Sequence, residues 1–104
     1  MKSITKEELK RKLENDEVIL IEVLDKEDFN KSHIAGAINI PLKQIGTEAN
    51  QRFSEDDEIV VYCSDSDCSA SPTAAKKLDS LGFKNVYDYK GGKKEWKEAD
   101  LPME

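Results

Sequence analysis

Four short apolar runs, separated by helix-like stretches, constrain this chain more than any other feature. Val18-Ile19-Leu20-Ile21-Glu22-Val23, Ala37-Ile38-Asn39-Ile40, Ile59-Val60-Val61-Tyr62 and Asn85-Val86-Tyr87-Asp88-Tyr89 read as strands. The first and third are almost continuously apolar, as strands covered on both faces are. The segments between them follow helical spacing. Thr5-Lys6-Glu7-Glu8 fits a capping box, with Thr5 as N-cap and Glu8 reaching back, and Leu9 and Leu13 share a face behind it. Asp25 is placed to cap a short helix through Phe29. Leu42, Ile45, Ala49 and Phe53 keep helical spacing across a weakening Gly46. Ala70, Ala74, Leu78 and Leu81 form an inner stripe, with Gly82 where a helix-ending glycine belongs. Gly91-Gly92 reads as a turn and Lys93 to Ala99 as a closing helix that carries Trp96. Such alternation predicts an α/β fold: a parallel sheet of about five strands with helices on both faces.

The 104 residues suit one domain, 1–104, built on one core. No apolar run approaches the roughly 20 residues a membrane-spanning helix needs, and the first residues lack a secretory apolar stretch. The expected location is therefore cytoplasmic, with no membrane partner. The formal net charge is −6, and the lysines of residues 6–12 alternate with Glu7, Glu8 and Glu14. A solvated helix face is expected there, and nucleic-acid binding, which needs a basic footprint, is excluded.

Cys63 carries the chemical signal. It ends the run Ile59 to Tyr62 and opens a polar loop, Ser64-Asp65-Ser66-Asp67-Cys68-Ser69, ahead of a helix. A thiol there lies at the C-terminal end of a buried strand and faces a helix N-terminus, which stabilises a thiolate. Open α/β sheets place their chemistry at this edge. The six-residue loop from Cys63 to Cys68 can curl so that its N–H groups point at the sulfur. Two cysteines five positions apart, with a single histidine, cannot supply four ligands for structural zinc, so no metal is expected.

Three segments together resemble a single-domain rhodanese, a sulfurtransferase. Leu20 to Val23, Phe29 and His33-Ile34-Ala35-Gly36-Ala37-Ile38-Asn39-Ile40-Pro41 are similar to the first signature of that family. Ile59 to Cys63 is similar to its catalytic strand. Gly91-Gly92, Trp96, Leu101 and Pro102 are similar to its second signature. The resemblance implies a persulfide relay that uses no cofactor: Cys63 takes sulfane sulfur from a donor and passes it to a thiol or cyanide. The partners implied are that sulfur donor and acceptor, small molecule or protein; the oligomeric state stays open between monomer and weak dimer.

The chain departs from the family pattern in three places. The usual Asp-Val-Arg reads Glu22-Val23-Leu24, so the partner of the acid is missing or comes from elsewhere. The loop holds Asp65 and Asp67 and no cation, which opposes a dianionic donor such as thiosulfate. Cys68 stands at the far end of the loop, where it is either a resolving thiol or a small loop residue. Ser66 and Ser69 either donate hydrogen bonds to a persulfide or, for Ser69 with Ser71, cap the helix; capping is the simpler reading. Asp65 and Asp67 read first as turn residues that bond locally. His33 reads as scaffold and Trp96 as core.

Other functions weigh less. A phosphatase of this fold carries an arginine six residues after its cysteine, where this chain has Ser69. A non-catalytic sulfur-carrier or binding module, and a redox protein cycling a Cys63–Cys68 disulfide, remain as alternatives.

Overall fold

In a computed structural model covering residues 1–104, eleven elements alternate as the sequence pattern predicts. They run β1 (Lys2–Ser3), α1 (Lys6–Glu14), β2 (Ile19–Glu22), α2 (Lys26–Lys31) and β3 (Ile38–Asn39). A 3-10 turn (Leu42–Gln44) leads into α3 (Ile45–Arg52), followed by β4 (Glu58–Tyr62), α4 (Ala70–Ser80), β5 (Asn85–Tyr89) and α5 (Gly92–Glu98). The five strands form one sheet in the order β1-β5-β4-β2-β3, every pair parallel. Strand β4 lies at its centre, with Ile59 opposite Ile19 on one side and Val86 on the other.

The two-residue period of β4 divides the core. Ile59, Val61 and Cys63 face α3 and α4, among Ile45, Ala49, Ala74, Ala75 and Leu78. Val60 and Tyr62 face the other way, toward Leu9 of α1 and Trp96 of α5. The direction in which Cys63 points is therefore set by the register of a strand that cannot slip without exposing both faces.

The capping box forms: the Glu8 N–H donates to Thr5 Oγ1 at 3.2 Å, and the Thr5 N–H donates to Glu8 Oε1 at 3.1 Å. The Thr5 N–H and the Thr5 hydroxyl, which donates to Glu8 Oε1 at 3.0 Å, hold the Glu8 carboxyl below its ordinary range. Gly82 has φ +97° just past α4, the left-handed position a closing glycine serves. Local pattern misjudged four features. Strand β1 is only two residues long and too polar to register as a strand; it exists because β5 offers it an edge. Asp25 precedes α2 without a side-chain capping bond, and α2 runs on to Lys31. The stretch from Leu42 divides into a 3-10 turn and α3, with Phe53 just beyond the helix. Of the expected stripe of α4, Ala74 and Leu78 are buried and Ala70 and Leu81 pack half-buried against the same core, while Ser71 and Ala75 are buried beside them unexpectedly.

The acid of β2 does find a partner. Glu22 is fully buried and accepts a 2.8 Å hydrogen bond from Tyr62 Oη. Tyr62 Oη in turn accepts from the Ile34 N–H at 3.2 Å. Burial, reinforced by the Glu22 charge, pushes the Tyr62 hydroxyl pKa far up, so it remains a donor. Lys93, from α5, places Nζ 2.9 Å from Glu22 Oε2. The approach lacks the alignment of an ordinary hydrogen bond, so Oε2 is satisfied as an ion pair. Lys93 Nζ also donates to the carbonyls of Asp28 at 2.9 Å and Ser32 at 2.7 Å, joining β2, α2 and α5 through one ammonium.

Removing one member of such a pair strands a buried charge, which costs about 3–5 kcal/mol. Lys93→Met should lower unfolding stability by about that amount in urea titration. Adding Glu22→Gln should restore part of it by removing the orphaned charge. A loss below about 1 kcal/mol, the range of a surface pair, would show that Glu22 does not depend on Lys93.

Candidate active site

Cys63 follows the last residue of β4 directly and is 1% exposed. Its backbone is held from the opposite side of the sheet. The N–H of Lys93 donates to the Cys63 carbonyl at 3.0 Å, and that of Lys94 to the Ser64 carbonyl at 2.9 Å. Gly92 makes this approach: it adopts φ +63°, and a Cβ there would lie 2.5 Å from the Cys63 carbonyl oxygen and 2.8 Å from the Ser64 carbonyl carbon. Any side chain at this position would force the start of α5 away from the loop.

The loop from Ser64 to Ser69 is shaped by Asp65. Its Oδ1 accepts the Asp67 N–H at 3.0 Å and its carbonyl accepts the Cys68 N–H at 3.2 Å. Two of the N–H groups expected to face the Cys63 sulfur are thus turned onto Asp65. Asp65 serves as a local turn former, as the simpler reading had it. Cys68, half-buried at the end of this turn, is joined to Cys63 in a disulfide, with the two Cα atoms 6.4 Å apart.

Helix capping by serine does not occur. Ser69 precedes α4 with no side-chain capping bond, and Ser71 lies inside the helix, 2% exposed. Ser71 Oγ instead lies 3.4 Å from Cys63 Sγ. Ser64, Ser66 and Ser69 are exposed on the rim. Behind Ser71 stands Asp88 of β5, fully buried, with both carboxylate oxygens free of any well-formed hydrogen bond. Burial raises its pKa, against smaller opposing pulls from the Ser71 hydroxyl and Lys90. The Cys63 sulfur, a hydroxyl and a carboxyl group therefore share the α4 face of the sheet end.

Outside the loop, a cleft of about 260 Å3 is lined by Asp65, Asp67, Glu95 and Glu98 with a single cation, Lys94. Its acidity exceeds what the loop sequence alone indicates, because α5 adds two glutamates and one lysine. A larger cleft of about 500 Å3 lies between α3 and α4, but no cysteine, histidine or carboxylate lines it. His33 is remote from this chemistry in its contacts. Its ring stacks on Phe29 at 3.8 Å between centroids, and its Nδ1–H donates to the Phe29 carbonyl at 2.9 Å. Trp96 is 2% exposed and its Nε1–H donates to the Pro102 carbonyl at 2.9 Å, a core role. No cluster of three or more His, Cys, Asp or Glu side chains is arranged to hold a metal ion, and no helix is long and apolar enough to cross a membrane.

Asp88 and Lys93 belong to the site or its support without a signal read from sequence, whereas Ser71 reads there as a cap and Gly92 as a turn residue, neither placed beside Cys63. Ser71 was findable, since positions 71, 74, 75 and 78 have the spacing of a buried helical stripe. Asp88 was findable as an acid between Val86-Tyr87 and Tyr89 in a strand.

The chain as a whole is similar to several known proteins. The chain is 33% identical to the putative sulfur carrier protein YrkF of Bacillus subtilis; the match covers 89% of this chain and 49% of YrkF, so the chain spans about half of that relative. It is 27% identical to the thiosulfate sulfurtransferase GlpE of Glaesserella parasuis, covering 97% of this chain and 91% of GlpE. A crystal structure of a Bacillus halodurans protein superposes with a TM-score of 0.91 at 28% identity, covering 99% of this chain and 76% of the other. The model of the rhodanese-like domain matches residues 5–99, from the α1 cap through α5, and by that match the chain belongs to the rhodanese-like family.

Proposed function

We propose that this protein is a sulfurtransferase that carries sulfane sulfur as a Cys63 persulfide. The observation that carries the reading is the setting of Cys63: a thiol at the end of the central strand, immobilised through its carbonyl, within a rhodanese-like domain. With the Cys63–Cys68 bond reduced, the Cys63 thiolate attacks the sulfane sulfur of a donor, and the donor's leaving group departs with the electron pair. An acceptor thiolate or cyanide then attacks the outer sulfur and frees the Cys63 thiolate. No cofactor enters either step. Ser71 Oγ, 3.4 Å from Cys63 Sγ, is placed to stabilise a sulfur anion by hydrogen bonding. The relationship to a putative sulfur carrier supports a second reading, in which Cys63 holds sulfur for a docked acceptor and turns over slowly without one.

The cleft beside the loop supports a donor other than thiosulfate. Four carboxylates and one ammonium surround it, and two negative charges 4 Å apart repel by about 1 kcal/mol even in water. A neutral or protein-bound persulfide, or a polysulfide, suits this field better than a dianion.

Cys63→Ser should abolish thiocyanate formation from polysulfide and cyanide above the uncatalysed rate. Its unfolding midpoint should stay near that of the reduced parent, because one S-to-O change rarely costs more than a few kcal/mol. Turnover that persists in this variant would overturn the assignment.

Replacing both Asp65 and Asp67 by Asn keeps an oxygen at Asp65 to accept the Asp67 N–H and removes two charges. The rate with thiosulfate should then rise about three- to tenfold at low salt and less at high salt, since screening acts over about 10 Å at 0.1 M. A neutral donor should respond much less. Equal changes with both donors, or no salt dependence, would mean that donor choice does not depend on this field.

A further inference from the structure

The catalytic strand and its loop bring a second thiol to the first, and the two are not equivalent. Cys63 is fixed at both ends: its side chain is packed among Ala74, Ala75 and Val61, and its carbonyl is bonded to α5. Cys68 sits on a turn whose hydrogen bonds come from within the loop itself, from Asp65. The sulfurs meet in a disulfide across a Cα separation of 6.4 Å, so a Cys68 thiolate can reach Cys63 Sγ with the fold as it stands. Bonded to Cys68, Cys63 is 1% exposed, and its sulfur is closed to donor and acceptor alike.

We propose that Cys68 resolves the Cys63 persulfide, so that the domain also reduces sulfane sulfur to hydrosulfide. This rests on the Cys63 persulfide proposed above. The Cys68 thiolate attacks Cys63 Sγ, the inner sulfur of the persulfide. A Cys63–Cys68 bond forms and the bond between Cys63 Sγ and the outer sulfur breaks. The outer sulfur leaves with the electron pair as hydrosulfide and takes up the proton that Cys68 released. Two thiol sulfurs are oxidised to the disulfide while the sulfane sulfur is reduced, so the donor's own sulfur is the oxidant. An external thiol or dithiol reduces the disulfide to begin another cycle. An intramolecular thiol held at this distance outcompetes dilute external acceptors, because its effective concentration is high. Without an external thiol the protein therefore stops after one equivalent in the closed, disulfide-bonded state.

The test uses the full chain, fully reduced, desalted and exposed anaerobically to inorganic polysulfide, beside Cys68→Ser, Cys68→Ala and the variant lacking both cysteines. Intact mass and trapped hydrosulfide are followed in time. The parent should lose about 2 Da and release about one equivalent of hydrosulfide above the cysteine-free background. Both Cys68 variants should instead gain about 32 Da on Cys63, with a persulfide lifetime at least about tenfold longer than the parent's. A parent persulfide as long-lived as that of the variants would overturn the resolving role and leave the transfer reading intact. A disulfide formed without extra hydrosulfide would overturn it too, since oxidation would then bypass the persulfide. Failure of both folded Cys68 variants to gain mass would overturn the persulfide reading and this inference together.

Discussion

Lys93 holds the working end of this sheet together by two independent contacts. Its backbone N–H bonds the carbonyl of Cys63, and its ammonium neutralises the fully buried Glu22 of the neighbouring strand. Both require the first turn of α5 to come very close to the end of β4, which only a glycine at 92 in a left-handed conformation allows. Beyond a strand end, backbone carbonyls lose their ladder partners and must find others. Here α5, the helix that follows the neighbouring strand β5, supplies them, and so fixes the carbonyl side of Cys63 while leaving its sulfur on the α4 face.

That arrangement anchors the Cys63 end of the site on two sides. Glu22, Tyr62, Lys93 and the carbonyls of α2 form a connected polar network inside the sheet end, on the face opposite the Cys63 sulfur. Such a network is costly to break at any one member. Beyond the Ser64 carbonyl, which α5 also holds, the turn carrying Cys68 is shaped by hydrogen bonds to Asp65. The proposed alternation between an open thiolate and a closed disulfide pairs a Cys63 anchored to α5 with a Cys68 carried on a turn formed within the loop.

Much of this was legible in sequence, and what was not has physical reasons. The alternation of apolar runs and helical stripes gave the parallel α/β architecture, because burial on both faces leaves a continuous apolar signature in Leu20-Ile21 and Ile59 to Tyr62. Cys63 was legible from its position between strand and helix. Strand β1 was not, because its two polar residues pair only when an edge is offered. Lys93 was not, because a cation so far along the chain from its acid, Glu22, leaves no local trace. Ser71 was misjudged as a cap, since serine at a helix start ordinarily bonds the backbone; here the nearby sulfur and buried position give its hydroxyl another role. The acidity of the cleft was only half visible, as Glu95 and Glu98 join Asp65 and Asp67 through folding.

The central claim is that sulfur passes through Cys63 itself. The most direct measurement is peptide mapping of the reduced protein, quenched early in its reaction with polysulfide by an alkylating agent that traps both thiols and persulfides. Digestion must separate Cys63 from Cys68, or fragmentation must locate the added mass between them. The account predicts an additional sulfur, about 32 Da, on Cys63 and none on Cys68. An added sulfur found only on Cys68, or on neither residue while thiocyanate is still produced, would contradict it.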